Sequence, residues 1–341
     1  MARLAAEVVV VPVLDFDLAA VSSEVREGVG GVLFLGAGPA PVDLGTRVRG
    51  LLGDAPAGIR PLVMADEEGG GVQRLAPVVS AVPWPREMAR AMTPAAVRAL
   101  GQRVGRQMLA AGVSVDLAPV ADVDGRPGPS GTNPDGARSF SGDPATAATY
   151  TVAFMDGLRA GGVLPVVKHF PGLGGTIANT DVAPAATQPL GKLATTGLVP
   201  FRAAIRAGAP AVMVSNASVP GLTSQPSSLS QAVIGGLLRQ QLGFHGLVLT
   251  DSLSAGAILS GGRTLPQAAV AALGAGADLV LFGSTLTPND TAQLSAPNVQ
   301  RSYRAIVNAL TAAVSEGQLP LARLTAAATT VAGAAHDHLC P

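Results

Sequence analysis

Short runs of consecutive apolar, mostly β-branched residues recur along the chain, each closed by Gly, Pro or Asp. They read VVVVPV (8–13), GGVLFLG (30–36), RPLVMAD (60–66), VSVDLAPV (113–120), VLPVVKHF (163–170), AVMVSN (211–216), GLVLTD (246–251) and ADLVLFG (277–283). Between most of them lie Ala-, Leu- and Arg-rich segments with apolar residues at helical spacing, including 96–112, 145–162 and 265–276. Continuously apolar strands alternating with helices predict a parallel sheet covered on both faces. Eight such units in 341 residues predict an α/β fold of the (β/α)8 barrel type rather than an open doubly wound sheet. No low-complexity linker divides the chain, so a single domain is expected over 1–341, with strands from about 8 to 283. A helical tail is expected over 301–341, its main helix being RSYRAIVNALTAAVSEG (301–317). The opening MARLAAEVVVVPVLDFD reads as the first strand. Glu7 and Pro12 interrupt it, and no stretch approaches the roughly 20 apolar residues of a membrane span.

Composition narrows the partners. The chain is 48% apolar and carries 23 Lys+Arg against 23 Asp+Glu, so nothing electrostatic recommends nucleic acid or an anionic membrane. The single cysteine, Cys340, excludes an intramolecular disulfide framework and a cysteine-based metal cluster. No metal and no cofactor are expected. Compartment and oligomeric state stay open: the chain as it stands reads as cytoplasmic, and a secretion signal or lipid anchor outside this sequence would leave no trace in it.

In a (β/α)8 barrel the chemistry collects where strands end and the following loops begin. Those ends carry Asp66 in DEEGGGVQR, Asp116 and Asp122 around the fourth strand, Lys168 and His169 on the fifth, Asn216 after the sixth and Asp251 after the seventh. Any one of these acids could simply cap a turn or helix. Converging on one barrel face, they form the pocket a polar ligand requires. The long connection after the fourth strand adds Arg138, within NPDGARSFSGDP (133–144).

The segments DEEGGGVQRL, DLAPVADV, NPDGARSFSGDP, VVKHFPGLGG, AVMVSNASVPGL, LLRQQLGFHGLVLTDSL and AVAALGAGADLVLF run in one order from about Gly30 to Gly283. In that order they resemble the barrel domain of glycoside hydrolase family 3, and within it the single-domain β-N-acetylglucosaminidases that act on peptidoglycan fragments. The resemblance implies that Asp251, in TDSL, is the nucleophile of a retaining mechanism with a covalent glycosyl-enzyme intermediate. It implies that Asp66, Arg74, Arg138, Lys168 and His169 hold sugar hydroxyls and an acetamido group, with Asn216 at a further substrate-contacting position. The expected partner is a small carbohydrate, an amino sugar or a muropeptide.

One loop departs from the family pattern. Where the family resembles KHFPGHGxTxxDSH, with the last His as acid/base and the Asp before it as its partner, this chain reads KHFPGLGGTIANTD. Leu173 replaces the first loop His, Asn179 the Asp of the dyad and Asp181 the acid/base His. Gly71 stands where the family usually has Arg, and Asn216 where many members have His. Asn179 can orient a neighbour by hydrogen bonding but supplies no charge. For Asp181 to be the acid near pH 7, its pKa must rise by about 3 units from the ordinary value. Burial beside Asp251 acts in that direction. Three readings follow: a retaining glycosidase for β-linked N-acetylglucosamine or a related sugar, with Asp251 as nucleophile and Asp181 as acid/base; a non-catalytic binder of amino sugars or muropeptides; and a barrel enzyme transferring a sugar to an anionic acceptor.

Overall fold

The computed structural model describes the backbone of residues 1–339 and the side chains of residues 1–336; Cys340 lies outside the described residues. Eight parallel strands follow one another around a barrel: β1 (Val9–Leu14), β2 (Gly31–Leu35), β3 (Leu62–Ala65), β4 (Val115–Asp116), β5 (Leu164–Phe170), β6 (Ala211–Val214), β7 (Leu247–Thr250) and β8 (Val280–Leu281). Each falls within one of the apolar runs read from the sequence, apart from Leu14, one residue beyond the first run. Successive ladders pair Val10 with Gly31, Gly31 with Leu62, Met64 with Val115, Val115 with Leu164, Val166 with Ala211 and Ala211 with Leu247. The ring closes through Val9 opposite Val280 and a parallel bridge from Leu249 to Leu279. This is the single-domain (β/α)8 architecture.

The strand-only reading of the N-terminus needs correction. Residues Ala2–Ala6 form a short helix, α1, and the strand begins only at Val9. The local reason is legible: ARLAA is rich in good helix formers, and Arg3 pairs with Glu7 one turn later at 3.2 Å. β4 shortens to two residues because Pro119, which has no N–H, interrupts the ladder. The chain nevertheless stays extended there, with Val166 N–H donating to Ala118 O at 3.0 Å and Lys168 N–H to Pro119 O at 3.1 Å.

Alternation along the strands separates two cores. Val10, Leu33, Met64, Leu117, Val166, Met213 and Leu249 fill the barrel interior, while Val11, Val32, Val63, Val167, Val212 and Val248 face the surrounding helices. Helices Pro94–Ala110 and Pro144–Ala160 start at side-chain caps, Thr93 accepting from Ala96 N–H and Asp143 from Thr146 N–H. They approach closely along a stripe of glycines: a Cβ at Gly157 would sit 2.3 Å from Arg98 O. After the barrel come helices Ala296–Ser315 and Leu321–Leu339. The second sends Val331 and Ala335 into the interior core, closing the barrel floor opposite the end where the strands deliver polar side chains. No helix among the described residues is long and apolar enough to cross a membrane.

Candidate active site

The C-terminal ends of the strands enclose a cavity of about 550 Å³, lined among others by Asp66, Arg74, Arg138, Lys168, His169, Asn179, Asp181 and Asp251. The predicted residues therefore meet in one place, except Asn216, Asp116 and Asp122, which are buried behind the wall. Asn216 is not on the wall: its amide donates to Ser252 O at 2.7 Å and its carbonyl accepts from the Ser228 hydroxyl at 2.6 Å, so it ties the turn at Ser227–Leu229 to the chain that follows Asp251. Asp116 is also withdrawn, fully buried beneath the hairpin Glu67–Gly69/Val72–Gln73 and accepting from Glu67 N–H at 3.0 Å.

Charge on the wall is organised around a residue that the sequence reading passed over. Glu68 is fully buried and accepts a bidentate pair from Arg138, 2.7 Å on each side, while Lys168 Nζ lies 2.6 Å from its Oε1 and 2.5 Å from Asp66 Oδ1. Burial alone would raise the Glu68 pKa, but Arg138 and Lys168 overcome it and hold the carboxyl ionised, below the usual carboxylate range. The same carboxylates raise Lys168 against its own burial. Both cations are thus fixed at the cavity wall. The only signal for Glu68 was its place two residues after Asp66 in DEEGGG, where a second acid reads as loop polarity.

Lys168 and His169 are adjacent in β5 yet both line the cavity. Simple strand alternation would send one of them outward. Here the register against β6 shifts between Val167 and Phe170. His169 Nδ1 lies 2.7 Å from Asp122 Oδ2, and Asp122 Oδ1 accepts from Leu173 N–H at 2.7 Å. Burial, then Arg138 and Lys168, lower the imidazole pKa to about 4, so the ring is neutral near pH 7. His169 is the one histidine among the cavity-lining residues.

The loop after β5 carries Asp181 to the wall beside Asp251. Asn179 Oδ1 accepts from Asp181 N–H at 2.9 Å, the local turn that Asn favours, so its side chain shapes the loop. The loop then docks on the segment after the seventh strand: Gly256 N–H donates to Asp181 O at 2.7 Å and Ala257 N–H to Thr180 O at 3.0 Å. A Cβ at Gly256 would meet Val182 O at 2.1 Å, so only glycine allows this contact. Asp251 is held by Val214 O, which accepts its N–H at 2.9 Å, and its Oδ1 accepts from Ser252 N–H at 2.7 Å. Burial raises both carboxyl pKa values, and the charge of Asp181 raises that of Asp251 further. Two coupled carboxyls in one cavity can divide roles, one protonated and one ionised.

Comparison with known proteins gives the family. Residues 23–334 match the Glycosyl hydrolase family 3 N terminal domain. The beta-hexosaminidase LpqI of Mycobacterium tuberculosis is 37% identical over 314 residues, covering 89% of this chain and 75% of that protein. The solved structure of M. tuberculosis LpqI superposes with a TM-score of 0.85 at 34% identity, covering 98% of this chain and 93% of that one. A beta-N-acetylhexosaminidase from Beutenbergia cavernae gives 0.82 at 29% identity, covering 98% and 97%. The chain belongs to glycosyl hydrolase family 3.

Proposed function

We propose that the chain is a retaining glycosidase for β-linked N-acetylglucosamine or a closely related amino sugar, with Asp251 as nucleophile and Asp181 in place of the family's histidine as acid/base. One observation carries this reading: Asp181, half-buried, lines the same cavity as Asp251, on a loop tied by backbone hydrogen bonds to the segment that follows the nucleophile. Ser252 N–H stabilises charge on Asp251, so the proton left on the coupled pair belongs on Asp181. In the first step Asp251 attacks the anomeric carbon while Asp181 protonates the departing oxygen. In the second, ionised Asp181 takes a proton from the water that releases the sugar from Asp251. Asp66, Arg74, Arg138, Lys168 and His169 supply the donors and acceptors for hydroxyls and an acetamido group. The hexosaminidases among its relatives support an amino-sugar substrate; peptidoglycan fragments are one source of such a sugar.

The competing reading is a binder without turnover, favoured by the lack of a second histidine on the wall among the described residues. Mixing the protein with a dinitrophenyl N-acetyl-β-glucosaminide separates the two, because this leaving group needs little protonation. The proposal expects a burst of dinitrophenolate and a glycosylated peptide containing Asp251 by mass spectrometry. Ligand binding by calorimetry with neither burst nor adduct would establish the binder instead.

A further inference from the structure

One buried acid has no part in this chemistry. Asp135 sits in the loop that presents Arg138; it is fully buried, and neither carboxylate oxygen has a hydrogen-bond partner. Its neighbours are Asp122 and His169, with one polar atom from each of the three within 4.8 Å of the others. Asp122 is differently served, by Leu173 N–H on Oδ1 and His169 Nδ1 on Oδ2, each at 2.7 Å. The remaining charges nearby are already committed: Arg138 to Glu68 at 2.7 Å, and Asp124 to Arg126 at 2.6 Å. An ionised carboxylate without donors, beside a second carboxylate, is costly to bury. A single proton between the two removes that cost, and the donors decide the assignment, Asp122 as the ion and Asp135 as the acid.

We infer that Asp135 is a neutral carboxylic acid that hydrogen-bonds to ionised Asp122, making it a positioning residue that holds His169 in the Nδ1–H tautomer with Nε2 free to accept from a ligand. Only the ligand contact rests on the glycosidase reading. Burial lifts Asp122 to about 7 although Leu173 N–H pulls it back, whereas Asp135, with burial and the Asp122 charge acting together, is raised well above the ordinary range. The proton is therefore last to leave Asp135.

The test compares wild type with Asp135→Asn, whose amide can also donate to Asp122, and with Asp135→Ala, which cannot. In the ligand-free protein, the infrared difference between wild type and Asp135→Asn should contain one protonated-carboxyl stretch at neutral pH. Nitrogen NMR should find the Nδ1–H tautomer of His169 in both. Asp135→Ala should lose that tautomer and raise KM for an aryl N-acetylglucosaminide by roughly 10-fold or more, with a smaller change in kcat, as expected for losing a hydrogen bond to a charged group. Absence of the carboxyl band would overturn the inference. So would Asp135→Asn losing the tautomer as Asp135→Ala does, or one equivalent of a chelatable divalent cation in the purified wild type. The infrared and NMR readings need no substrate, so failure of the glycosidase reading leaves them intact.

Discussion

On the proposed mechanism Asp181 is the residue on which activity turns, and its environment sets a pH dependence with a definite sign. The acid form must donate the proton, and burial raises the pKa. Hydrolysis of a substrate with a poor leaving group should therefore fall as pH rises through a value above the ordinary aspartate range, and Asp181→Ala should lose that alkaline limb in a kcat/KM profile. A second pair of acids gives a stability prediction. Glu67 and Asp116 are fully buried, each with one oxygen lacking a partner, and burial raises both to about 8. The folded protein then binds more protons than the unfolded chain between about 4 and 8, so stability falls as pH rises through that window, by up to about 1.4 kcal/mol per unit for each proton. Glu67→Gln, which removes one titrating proton from this buried pair, should be more stable than wild type at pH 8 to 9 by about 1 kcal/mol or more in urea melts; equal stability would refute the burial of an ionising Glu67. Single residues were unevenly legible in the sequence. Asp66, Lys168, His169 and Asp251 could be found because strand ends point their side chains at the cavity, and Arg138, in a loop, through the family resemblance of NPDGARSFSGDP. Glu68 was passed over and Asn216 was expected on the wall, because whether a polar side chain faces ligand or scaffold depends on partners distant in sequence, Arg138 for one and Ser252 for the other.

At the scale of elements, the strand-and-helix alternation was readable because buried parallel strands are continuously apolar, a pattern that needs no tertiary information. The docking of the Asp181 loop was not, since it depends on two backbone hydrogen bonds to Gly256 and Ala257 and on a glycine with nothing unusual about its neighbours. That docking is testable. Gly256→Ala would drive a methyl group into Val182 O, so the loop must lift. The expected result is a loss of roughly 10-fold or more in kcat for substrates with poor leaving groups, within the contribution of general acid catalysis, and little change for dinitrophenyl substrates. Equal loss for both would mean that the substitution damages the nucleophile or the fold rather than the placement of the acid.

On the scale of the molecule, the barrel keeps its two ends distinct: polar chemistry gathers at one, and Val331 and Ala335 of the last helix seal the other. Val331→Asp would place an unpartnered carboxyl in that floor and should cost about 3 kcal/mol or more, read as a lower urea midpoint; an unchanged midpoint would show that the last helix does not close the core. Neutral net charge leaves substrate selection to the cavity, where fixed cations and carboxylates stand within one wall. That an aspartate does the proton work of this family 3 barrel is tested by azide rescue of Asp181→Ala. With an activated aryl N-acetyl-β-glucosaminide, the variant should accumulate the glycosyl-enzyme on Asp251, and added azide should restore turnover and yield a β-glycosyl azide, because azide needs no general base. Asp181→Ala turning over unactivated substrates at the wild-type rate, or a slowed variant giving no azide product, would contradict it.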